Sequence, residues 1–119
     1  MKILHVVPSY LPAVRYGGPI YSVHGLCKAL ARLGHEVHVF TTNVDGPDNS
    51  RVQIGKPVKL DGVCVWYFKV PALRRVFWSP GMANALARKI GQFDLVHIHS
   101  VFLWPTWAAA RIARRLSVP

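Results

Sequence analysis

Two clusters in this sequence have the residue types needed to handle an anion or a sugar hydroxyl. The first is Arg15-Tyr16-Gly17-Gly18-Pro19, and the second is His97-Ile98-His99-Ser100. A Gly-Gly pair at the start of a helix leaves the backbone unobstructed, where N–H groups and the helix dipole favour a phosphate. The same pair could serve backbone geometry alone, because glycine is the default residue of strained turns. His97 and His99 share parity on a strand and so leave it on one face. A strand histidine is more often a hydrogen-bonded core residue than a catalyst, and His97 is assigned that role. His99, nearer the strand end, is the candidate for chemistry: a neutral imidazole can accept from a hydroxyl, and a protonated one can meet a phosphate. Ser100 sits beside it as a further substrate contact. Arg15 and Tyr16 are either acceptor contacts or an ordinary exposed loop pair.

Several other chemistries find no support. There is no GxGxxG spacing, no Walker lysine loop, and no acid at the end of the second strand for a ribose hydroxyl, so NAD and ATP binding are not expected. No cysteine or carboxylate is spaced to complete a metal site with the histidines, and no bound metal or other cofactor is expected. Cys27 and Cys64 stand alone and read as small buried apolar residues of a reducing compartment.

The elements that must position these clusters follow from the apolar pattern. Lys2 to Val7 reads as a buried strand, and Pro19 to Leu33 as a helix with Ile20, Val23, Cys27, Leu30 and Leu33 on one stripe. Pro19 suits the first helical position and Gly34 a C-terminal cap. Glu36 to Thr42 is a second strand, which completes a βαβ unit. Asn43 to Lys56 is polar and reads as a surface loop. Val58 to Val70 reads as a hairpin about Asp61-Gly62, with Val63 to Phe68 its main strand. Ser79-Pro80 opens a second helix to about Ile90, Asp94 to His99 forms the next strand, and Trp104-Pro105 opens a third helix to about Leu116.

This alternation predicts an α/β fold, a doubly wound parallel sheet with strand order three, two, one, four. The order reverses between the first and fourth strands, where open α/β sheets bind ligands. Both clusters belong to that crevice, which is the main functional reading of the residues themselves.

The bulk numbers fit one small domain. The chain has 119 residues, 51% of them hydrophobic, with fifteen lysines and arginines against five acids, a net charge of +10. The charge suits phosphates, nucleic acid or an anionic membrane, or is a solvated basic surface. No helix-turn-helix, zinc or RNP-like motif accompanies it, so a nucleic-acid partner is not expected. Leu73 to Pro80 and the third helix mix arginines with aromatics. That mixture could make an interfacial membrane face, although packing with a charged outer side is commoner. No cleavable signal and no spanning segment is evident, so the expected location is cytoplasmic, with peripheral contact at the inner face of the membrane left open.

A loop ending P-x-x-x-x-G-G-P, a helix closing in ALARLGHEVHVFT, and a later FDLVHIHS together resemble GT-B glycosyltransferases. The resemblance is to the N-terminal, acceptor-side, Rossmann-like domain of the retaining enzymes of family four, and it covers nearly the whole chain. It implies a nucleotide diphosphate sugar as donor substrate and a glycan or lipid-linked acceptor, as in surface polysaccharide synthesis. It places Gly17 and Gly18 beside the donor diphosphate, makes His99 the residue facing the sugar and the reaction centre, and makes His97 mainly structural. Such enzymes carry a Glu-x7-Glu motif in a C-terminal donor-binding domain, whereas Glu36 is the only glutamate here. Residues 1–119 therefore read as a partial N-terminal domain, inactive alone and incomplete at its C-terminus. Its fourth strand would be an open edge inviting self-association. The alternative reading is a non-catalytic module binding phosphate or a membrane surface.

Overall fold

The computed structural model describes residues 1–15, 17–100 and 103–119. Strand β1 (Lys2–Val6) leads to helix α1 (Gly18–Arg32) and strand β2 (Glu36–Thr42). A two-stranded ribbon of β3 (Val44–Asp45) and β4 (Asp48–Asn49) follows, then a hairpin of β5 (Pro57–Leu60) and β6 (Val63–Phe68). A 3-10 turn at Arg74–Val76 precedes helix α2 (Pro80–Lys89), strand β7 (Leu95–Ile98) and helix α3 (Trp104–Arg115).

The main sheet has the order β5-β6-β2-β1-β7, parallel throughout except for the β5–β6 hairpin. Counting the four mutually parallel strands, this is the order three, two, one, four, and the doubly wound α/β expectation is met. β1 lies between two parallel neighbours, and Ile3, Leu4, His5 and Val6 are all buried on it. That double burial is why its sequence is a continuous apolar run rather than an alternation.

Two cores form on opposite faces. Leu4, Val6 and Phe40 pack with Met82, Leu86 and Ala109 of α2 and α3. Val37, Val39, Val63 and Val65 pack with Cys27 of α1 and with Tyr10. The Ser79 side chain caps α2 as expected, accepting from the Met82 N–H and donating to the Lys69 carbonyl at 2.7 Å.

Several details differ from the sequence reading. α1 ends one residue earlier, so Leu33 lies outside the stripe and is 75% exposed, while His24 takes a buried place on it. Gly34, at φ 93°, turns the chain there in a conformation that suits only glycine. Pro19 is the second helical residue, because Gly17 is the cap. The 43–56 segment is not wholly surface loop: it carries the small ribbon, and Val44 is buried. Cys64 is only partly buried, on β6 opposite Lys59 of the edge strand β5.

In the arginine-aromatic cluster from Leu73 to Pro80, Phe77 is buried and so is no part of an interfacial face. Leu73 and Phe77 both adopt left-handed backbone, at φ 51° and 60°, and flank the 3-10 turn so that Phe77 points inward. Arg74 is tied to the ribbon turn by the Gly46 and Asp48 carbonyls and by Asn49 Oδ1 at 2.7 Å. β7 is an edge strand, as expected, but its Val96 N–H donates to the Pro119 carbonyl at 2.8 Å.

Candidate functional site

The crevice expected at the strand-order reversal is a cavity of about 320 Å³. The end of β1 contributes Val7 to Ser9, and the first turn of α1 contributes Pro19 and Ile20. His99 and Ser100 close the opposite side, and Phe77 and Leu103 complete an otherwise apolar lining. A few polar groups in an apolar concavity is the usual composition of a small-molecule site.

Local sequence explains how each wall is held. The Pro8–Leu11 segment is clamped from below: Thr42 donates through its hydroxyl to the Pro8 carbonyl, and Tyr67 donates to the Leu11 carbonyl. Ser9 donates to the Val44 carbonyl at 2.8 Å, so its hydroxyl proton is already committed. On the far side the His99 N–H extends the ladder to the Val6 carbonyl at 2.9 Å. Thr106, in the first turn of α3, donates to the carbonyls of His99 and Ser100. Ser100 sits at φ 76°, a left-handed conformation uncommon for serine and of the kind that collects at functional sites.

Gly17 has φ 70° and ψ −131°, donates its N–H to the Val14 carbonyl, and accepts from Ile20 N–H at 3.1 Å. Its side-chain direction is empty: a Cβ at Gly17 or Gly18 would meet nothing within 4 Å. The anion-binding capacity of this helix start is narrower than the sequence suggests. Pro19 has no N–H and that of Ile20 is used by Gly17, so among the described residues the Gly18 N–H is the donor left at the first turn. Arg15 lies beside this turn, but its guanidinium pairs with Asp48 at 2.8 Å and its N–H donates to Asp45. Tyr16, the other acceptor candidate, lies outside the described residues.

His99 has a partner that sequence reading missed. β1 and β7 are paired with His5 opposite His97, so His5, His97 and His99 share one face. His5 Nδ1 lies 2.9 Å from His99 Nε2, and the His97 and His99 rings stack with centroids 4.1 Å apart. His5 is fully buried, His99 half-buried and His97 exposed. The signal existed: strand order three, two, one, four places the lone histidine of β1 next to HIH, and parity does the rest.

Burial pushes His5 from its ordinary 6.5 down to about 4, reinforced by His99 and His97. Burial likewise lowers His99 to about 4, with His97 adding to it. Both are neutral at pH 7.

These three residues are also the group that could hold a metal among the described residues, with ligand nitrogens within 4.8 Å of one another. The sequence expectation of no metal site counted only cysteines and carboxylates as possible third ligands. Two histidine nitrogens on a tetrahedral zinc stand roughly 3.3 Å apart, given bonds of about 2.0–2.1 Å. The His5–His99 separation of 2.9 Å is instead that of a hydrogen bond. The arrangement as it stands is a proton-sharing pair.

Away from the cavity, the outer side of α3 presents Trp107, 57% exposed, with the Arg111 guanidinium 5.2 Å from its ring centroid. No helix among the described residues is long and apolar enough to cross a membrane.

Residues 17–119 match the family model of the glycosyl transferase 4-like domain. The chain is also similar to an uncharacterized glycosyltransferase of Methanocaldococcus jannaschii, with 30% identity over 105 residues. That alignment covers 83% of this chain and 25% of the relative, so the chain spans about a quarter of the length of the protein it matches.

Proposed function

Because this chain belongs to the glycosyl transferase 4-like domain family, we propose that it forms one wall of the cleft of a two-domain, retaining glycosyltransferase. The reaction moves a sugar from a nucleoside diphosphate to a glycan or lipid-linked acceptor. One observation carries this reading: the first turn of α1 and the His99–Ser100 corner face a single cavity at the strand-order reversal.

In this mechanism the donor diphosphate lies against the open side of Gly17 and Gly18. There the Gly18 N–H and the positive end of α1 offset charge that grows on the leaving phosphate as the glycosidic bond breaks. His99 is neutral and sits on the opposite wall, where it meets an oxygen of the transferring sugar. The apolar lining from Val7, Ile20 and Phe77 keeps water from competing with the acceptor. The acidic residues expected of the donor side belong to a second domain, so residues 1–119 alone hold half of the chemistry.

The test is an assay of the enzyme carrying this domain against a panel of labelled nucleoside diphosphate sugars, with NMR of the product's anomeric proton. Transfer with retained configuration is expected, together with no turnover by residues 1–119 alone. An inverted product would reject the retaining mechanism, and transfer by residues 1–119 alone would reject the half-cleft assignment.

A further inference from the structure

His5 is the one histidine of the triad with no exposure, and sugar transfer as proposed above gives it no task. Its two ring nitrogens differ sharply. Nδ1 is 2.9 Å from His99 Nε2, whereas Nε2 is buried with no hydrogen-bond partner among the described residues. Each neutral imidazole carries one proton, and one proton occupies the shared bond. Two arrangements satisfy this.

In the first, His99 donates from Nε2, which forces the His5 proton onto Nε2. A buried N–H is then left facing no acceptor among the described residues. In the second, His5 donates from Nδ1 and leaves only a lone pair at its buried Nε2. An unpartnered buried polar atom costs about 1–3 kcal/mol, and orphaned buried N–H groups are the rarer kind in folded proteins. The second arrangement therefore prevails. It makes His99 Nε2 an acceptor and puts the His99 proton on Nδ1, for which no partner is found among the described residues.

We propose that His5 is a positioning residue that locks His99 as the Nδ1-protonated tautomer, so that His99 meets the substrate as a neutral hydrogen-bond donor and not as a base. The oxygen it serves is a sugar hydroxyl or a phosphate oxygen, both of which can accept. The depressed proton affinity of both rings fits this, since neither gains a second proton near neutrality. The stacked His97 ring, 27° from coplanar with His99, limits rotation of His99 away from the bond. The role assigned to the donated hydrogen bond rests on the sugar-transfer reading, whereas the tautomer itself does not.

The experiment is long-range nitrogen–proton NMR of the imidazole rings in 15N-histidine-labelled chain at pH 7, with no substrate present. The expected spectrum shows His99 protonated at Nδ1 and bare at Nε2, with His5 likewise protonated at Nδ1. A His99 protonated at Nε2, or averaging between tautomers, overturns the proposal even in the wild-type chain. Two variants separate positioning from packing. His5→Asn keeps an N–H near the Nδ1 position and should preserve the His99 tautomer. His5→Phe fills the space without a donor and should release it. An unchanged His99 in a folded His5→Phe variant contradicts the proposal, and if that variant does not fold, the wild-type spectrum decides alone. A locked tautomer combined with undiminished transfer after loss of His99 would reject the transfer reading and leave the tautomer assignment standing.

Discussion

His99→Ala in the enzyme carrying this domain is expected to lower sugar transfer by about 10²-fold, the scale of loss when a contact that positions the reacting group is removed. The expectation comes from position. His99 is half-buried on the cavity wall, its backbone is pinned by Val6 and Thr106, and its ring is held by His5. Such a side chain meets the transition state without having to reorganise. The loss should fall on kcat more than on KM, because the contact holds the sugar in its reactive orientation and is realised most fully in the transition state. His97→Ala provides the contrast. His97 is exposed and touches the site through its stack on His99, so a smaller loss is expected. Near-normal turnover of His99→Ala in steady-state kinetics would remove this residue from the mechanism.

The second large effect is on stability, and its sign follows from the same histidines. His5 and His99 have folded values near 4 against an ordinary 6.5, so between these values the unfolded chain binds more protons than the folded one. Stability therefore falls as pH drops from about 6.5 to about 4 and stops falling on their account below that. Each pH unit across this window is worth about 1.36 kcal/mol for one fully buried group, so His5 alone contributes about 3 kcal/mol, of which about 2 kcal/mol is lost by pH 5. His99 adds less because it is partly solvated. The Glu36 and Asp61 carboxylates, lowered by hydrogen bonds from His38 and His24, lose their stabilising effect in the same direction, at lower pH. Small domains have only about 5–15 kcal/mol of stability in all, so the loss is large. Urea unfolding at pH 7 and pH 5 measures it, and His5→Asn should flatten the dependence. A midpoint unchanged between the two pH values would contradict the buried neutral pair.

Much of the fold could be read from the sequence because local and global signals agree. Glu36–Thr42 is a strand whose last four residues are all buried, Asp61-Gly62 supplies the left-handed turn of a hairpin, and Ser79-Pro80 is a cap followed by a first-turn proline. The crevice followed from strand order alone. What escaped is nonlocal. His5 acquires its meaning only when β1 and β7 are placed in register, with His5 opposite His97. Phe77 is turned inward by left-handed φ at two non-glycine residues, for which composition gives no signal. Leu33 fitted the helical period, but the helix ended before it, and His24 took a buried place beside Tyr10. Arg15 looked available, and its ion pair depends on the ribbon that carries Asp45 and Asp48. Tyr16 lies outside the described residues, so its part in acceptor binding is not placed.

Everything proposed for catalysis depends on the substrate sitting in the cavity between the α1 start and the His99 corner. A crystal structure of the enzyme carrying this domain, with a non-hydrolysable nucleoside diphosphate sugar bound, measures that placement. The diphosphate is expected against Gly17 and Gly18, with a sugar oxygen within hydrogen-bond distance of His99. A donor bound away from this cavity, with His99 touching no ligand atom, would contradict it.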